Sequence, residues 1–168
     1  MKKILFGMLV LSTLVLGAQE GAQEGKVNVT AKVVKPLELR VDQHIDFGLL
    51  TPGQKNKSHE KEGIVTIIGT PGESFDLKIK TNMTNEYQEL GTVIDTYETK
   101  MTTGNGGENE TMIAKLNIWL EGGDNQIAEN HILKEGKHEV RIFGTTTASS
   151  TQKEGKYNGD ITLRALYR

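Results

Sequence analysis

The sequence predicts an all-β domain, an immunoglobulin-like β-sandwich, and three observations carry that prediction. Apolar and polar residues alternate in short runs, such as Phe75, Leu77 and Ile79 against Asp76, Lys78 and Lys80, which is the period of a strand with one buried face. Turn chemistry separates the runs, as at Thr51-Pro-Gly53 and Gly69-Thr-Pro-Gly72. No stretch carries a convincing helical repeat of apolar residues. The runs add up to about eight short strands, a number that suits two packed sheets around one core.

The 168 residues fall into three parts. Met1-Lys-Lys3 is cationic and residues 4–16 are almost uninterruptedly apolar, yet this run is too short to cross a hydrocarbon core of about 30 Å as a helix. Small residues Gly17-Ala18 follow, so residues 1–18 read as a secretory signal peptide cleaved after Ala18, with no cysteine there to carry a lipid. Ala18-Gln-Glu-Gly21 repeats at once as Ala22-Gln-Glu-Gly25, a polar tandem with too little apolar surface to fold alone. Residues 19–35 therefore read as a flexible leader plus a strand, and residues 36–168 as the sandwich domain. Export implies an oxidising compartment, but the chain has no cysteine and no disulfide supports the fold. A formal net charge of −2 disfavours nucleic acid and anionic membranes as partners.

The first strand expected is Lys26-Val-Asn-Val-Thr-Ala-Lys-Val33, with Val27, Val29, Ala31 and Val33 on one face and Asn28, Thr30 and Lys32 on the other. Pro36 interrupts, and Leu37, Leu39 and Val41 resume the alternation against Glu38 and Arg40. Lys35-Pro36 lacks the glycine or asparagine of a tight hairpin turn, so these two runs are not expected to pair with each other. Ile45, Phe47 and Leu49 form a further run ended by Pro52-Gly53, and residues 54–62 a charged loop. Residues 64–68 are a compact apolar strand, followed by Phe75, Leu77 and Ile79 on one face of another.

Between residues 81 and 110 the pattern weakens. Thr103-Gly-Asn-Gly-Gly107 is a loop, and it lacks the Gly-Lys-Ser/Thr and the strand-loop-helix context of a phosphate cradle. Met112, Ala114, Leu116, Ile118 and Leu120 mark one face of a long strand with Trp119 on the other, and Gly122-Gly-Asp-Asn125 is a turn. Val140 and Ile142 face the core, with Phe143 opposite, and residues 145–151 read as a Ser/Thr-rich loop. After Asn158-Gly159, a dipeptide tolerant of positive φ, the last run places Ile161, Leu163, Ala165 and Tyr167 on one parity and Thr162 and Arg164 on the other.

Both ends of the domain carry a family resemblance. Counted back from Arg168, Tyr167 is penultimate, apolar residues fall at every second place through Ile161, and Gly155 is fourteenth. This resembles the C-terminal signature of chaperone-usher pilins. Val27-Asn-Val-Thr-Ala-Lys-Val33 followed by proline and an alternating strand is similar to the N-terminus of colonisation-factor-antigen (alpha-class) fimbrial major subunits. Ile45-Asp-Phe-Gly48 with the closing strand is also similar to a pilin-like bacterial secreted domain family of unknown function. The resemblance implies a sandwich short of one strand, with Val27, Val29, Ala31 and Val33 as donor strand. It implies that Leu37, Leu39, Val41, Gly155, Ile161, Leu163, Ala165 and Tyr167 line or flank the receiving groove and meet a periplasmic chaperone. It further implies a homopolymer, an outer-membrane usher, a possible host receptor, and export through the periplasm to a fimbrium on a Gram-negative-type cell surface.

No catalytic pattern accompanies these features, and the sequence reads as a non-enzyme without cofactor or metal. His44, His59, His131 and His138 lack metal-ligand spacing and read as surface residues, and no Gly-x-Ser-x-Gly elbow is present. The competing expectation is a monomeric secreted sandwich that binds a carbohydrate or protein through loops near Thr103 and Ser149.

Overall fold

A computed structural model describes residues 25–90, 96–120 and 131–168. The expected signal peptide, most of the repeat leader and the turn expected at Gly122-Gly-Asp-Asn125 lie outside the described residues. The chain divides into two units, residues 1–32 and 33–168. In the first, residues 25–32 form no strand, and Val27 and Val29 are exposed. The strand expected there is thus not formed in the isolated chain. Alternation specifies a face, but a strand also needs an edge to pair with and a surface to cover it.

The second unit is all-β. Among the described residues it contains β1 (Glu38–Gln43), β2 (Lys57–Ser58), β3 (Gly63–Ile68), β4 (Ser74–Thr81), β5 (Gln88–Glu89), β6 (Thr96–Thr102), β7 (Thr111–Leu120), β8 (His131–Ile132), β9 (Lys137–Thr146) and β10 (Ile161–Tyr167). One sheet runs β1-β3-β9-β7-β6, with the short β2 on β9, and the other runs β10-β4-β5, with β8 on the start of β4. All of these pairings are antiparallel. Inward residues of both sheets, among them Ile67, Phe75, Ile79, Leu116 and Val140, interdigitate as one core. The Gly69-Thr-Pro-Gly72 turn carries the chain from β3 in the first sheet to β4 in the second.

Several expectations are corrected. Residues 45–49 are not a strand but keep one bridge, Asp46 to Lys61, because Gly48 takes φ 67° and turns Leu49 outward while Phe47 stays buried. The stretch in which alternation fades contains β6, whose inward residues are Tyr97, Thr99 and Met101. The Ser/Thr-rich loop starts later than expected, since β9 runs through Thr146, which is buried and donates its hydroxyl to Ile113 O at 2.9 Å. Neither Asn158 nor Gly159 has positive φ. Gly159 is needed for close approach instead: a Cβ there would lie 2.5 Å from Lys100 O.

Candidate functional site

β1 ends one sheet and β10 the other, with β6 and β5 at the opposite ends, and β1 and β10 each pair along one edge only among the described residues. β10 lies against β4 in a continuous register that sets Ile161 opposite Thr81, Leu163 opposite Ile79, Ala165 opposite Leu77 and Tyr167 opposite Phe75. Opposed residues in such a ladder point to the same face. The four on β4 are buried, Phe75 and Ile79 fully, yet Ile161, Leu163, Ala165 and Tyr167 are only half-buried against the same core. The cover runs out at the outer strand.

β1 repeats this gradient on the other sheet. Leu39 opposes the fully buried Ile67 and Val41 opposes the buried Val65. Leu37 and Leu39 are half-buried against the core, but Val41 remains 55% exposed although its partner faces inward. Beyond Val41 the register slips by a bulge before Gln43. A row of inward-facing apolar side chains on two strands without outer neighbours is the combination that invites another strand.

The two strands meet at one end. The Tyr167 hydroxyl donates to Lys35 O at 2.7 Å and accepts from Thr70 N–H at 2.8 Å, and Lys35 N–H in turn donates to Thr70 Oγ1 at 2.8 Å. Arg168 continues the clasp through its backbone N–H to Ser74 O at 3.2 Å and an ion pair with Asp76. The entry to β1, the end of β10 and the turn between the sheets are thus tied together here. Gly155, with φ 155°, lies against Thr103 on the approach to β10, where Asn158 exchanges two backbone bonds with Thr102.

Of the expected donor residues, Val27, Val29 and Val33 are 83%, 92% and 96% exposed. Fully exposed valines in alternation are an unusual outer surface, since each forgoes about 1.5–3 kcal/mol of burial.

The loops near Thr103 and Ser149 turn out to bind each other. Gln152 donates to Asn109 O at 2.9 Å and to the Tyr157 hydroxyl oxygen at 2.8 Å, and Thr151 donates to Asn109 Oδ1 at 3.1 Å. Lys153 pairs with Glu110, which also accepts from the Asn105 and Gly107 N–H groups. The Lys153 hydrogen bond chiefly holds the Glu110 carboxyl below its ordinary range, and the same bond raises Lys153. The polar groups here serve to anchor the approach to β10.

The histidines depart from expectation too. His44 is exposed, but His59, His131 and His138 are half-buried. His131 and His138 both pack on Phe75. Sequence spacing gave no hint of this, because β8 and β9 are brought to Phe75 by different sheets.

No protein-family model and no curated protein matches the sequence. Among solved structures, the fold is similar to that of the P pilus rod subunit PapA, with 16% identity and a TM-score of 0.41, over 79% of this chain and 99% of that one.

Proposed function

We propose that this protein is a structural subunit that polymerises by strand donation, residues 26–33 of one copy filling the slot between β1 and β10 of the next. The observation that carries this reading is the half-covered inward row, Leu39 and Val41 on β1 and Ile161, Leu163 and Ala165 on β10, on strands lacking outer neighbours. The same chain holds an exposed alternating segment, Val27, Val29, Ala31 and Val33, with side chains suited to such a row. An added strand would satisfy the free N–H and C=O groups along the edges while its apolar side chains cover the row.

In this reading the fibre is a surface fimbria that supports adhesion. The slot must also be covered before assembly, since an open apolar edge aggregates. That need is what a periplasmic chaperone and an outer-membrane usher would meet, with the signal peptide directing export.

The test is a variant lacking residues 19–34, mixed with a synthetic peptide spanning residues 26–36. The shortened protein is expected to lose self-association and to take up the peptide with a gain in thermal stability. A shortened protein that still self-associates and ignores the peptide would sink the assignment.

A further inference from the structure

Beside the Tyr167–Lys35 contact lies a short strap. β8 crosses the start of β4 with His131 opposite Phe75 and Ile132 opposite Ser74. The next residue, Leu133, is fully buried. Its N–H donates to Glu73 O and its carbonyl accepts from Gly72 N–H, each at 2.9 Å. A Cβ on Gly69 would meet Leu133 Cδ1 at 2.7 Å and Leu37 Cδ2 at 2.8 Å, and the Tyr167 hydroxyl as well. Leu133 therefore plugs the point where the entry to β1 and the end of β10 converge.

β8 is two residues long, and rings pack beneath it: His131 lies 5.5 Å from Phe75, His138 5.3 Å from Phe75, and the two imidazoles 6.0 Å apart. Among the described residues, the charged groups acting on His131 come from three elements, His138 on β9, Arg168 beyond β10 and Asp76 on β4. Asp76, the one carboxylate among them, is already paired with Arg168. A proton on His131 thus enters a half-buried site beside a second imidazole and a guanidinium.

We propose that residues 131–133 form an acid-sensitive strap, closed over the end of the slot while His131 is neutral and released when it takes up a proton. Its consequence rests on the strand-donation reading: release withdraws Leu133 and uncovers the innermost seat of a bound strand. The opening itself does not depend on that reading.

The sign follows from the site. Burial first, then His138 and Arg168, push the His131 imidazole below its ordinary 6.5, with Asp76 opposing. Closure therefore carries no penalty above 6.5 and is lost as the pH falls below that value and through the lowered one.

Hydrogen exchange on the full chain at about pH 7.5 and about pH 5, corrected for intrinsic rates, reads the opening directly. The Leu133 and Gly72 amides are expected to lose about tenfold or more of their protection on acidification, while Val65 and Ile142 keep theirs. His131→Phe retains a ring on Phe75 and removes the titration, and His131→Gln removes it without the ring; the acid-dependent loss should vanish in whichever of them folds. Unchanged protection of the strap in the wild type, or the same loss in both variants, overturns the proposal. Adding the peptide spanning residues 26–36 to the same samples separates the two readings: no uptake at either pH defeats strand donation and leaves the exchange result to decide the strap.

Discussion

Tyr167 shows how one side chain does two jobs. Its ring continues the inward row of β10 opposite Phe75, and its hydroxyl holds Lys35 and Thr70 by two hydrogen bonds. Tyr167→Phe keeps the ring and leaves those two backbone groups without this partner. The variant is expected to be less stable by about 1–3 kcal/mol, as a lower urea midpoint with an unchanged slope. An unchanged midpoint would show that water replaces the hydroxyl at no cost. The ring's place was readable from strand parity. The hydroxyl's partner was not, because Lys35 is far away in sequence and nothing local marks it.

Strands were legible in proportion to how cleanly their inward faces are apolar. β4, β7 and β10 declare themselves through Phe75-Leu77-Ile79, Met112 to Leu120 and Ile161 to Tyr167. β6 does not, because Thr99 occupies an inward position, buried, with its hydroxyl donating to Asp160 O at 2.9 Å. A partner from the approach to β10 makes the polar residue acceptable there, and that partner is a tertiary fact. Residues 45–49 failed in the opposite direction: the period of two was present, and the positive φ of Gly48 broke it.

The same strands yield a paired prediction. Val41 and Ile79 both face inward, but Val41 sits on an outer strand at 55% exposure and Ile79 beside β10 at none. In protein lacking residues 19–34, Ile79→Ala is expected to cost about 2–5 kcal/mol of stability. Val41→Lys should change stability by no more than about 0.5 kcal/mol, yet strongly weaken uptake of the peptide spanning residues 26–36. Equal effects of the two substitutions on folding would mean that Val41 is core, and the slot is not open where the exposure gradient puts it.

For the whole molecule, a sandwich in which the end strands β1 and β10 are open gains stability by mass action from whatever fills them. At a peptide concentration about a hundredfold above its dissociation constant, the shortened protein should gain about 2.7 kcal/mol. Replacing Val29 by Ala in the peptide removes about two methylene equivalents of burial and should weaken binding by about tenfold. Calorimetric titration of the two peptides checks both figures. Equal affinities would show that the side chains do not enter the apolar row, whatever the backbone does.

What the sequence determined by itself was the all-β class, the parity of most strands and the alternating valines before Pro36. These depend on a residue's chemistry and its immediate neighbours, through the two-residue period of a strand and the turn preferences of glycine and proline. Only the tertiary structure decided which strands lie outermost, that Tyr167 reaches Lys35, and that His131 and His138 share Phe75. Those facts follow from the order in which strands stack into sheets, and that order is a property of contacts between residues distant in the chain.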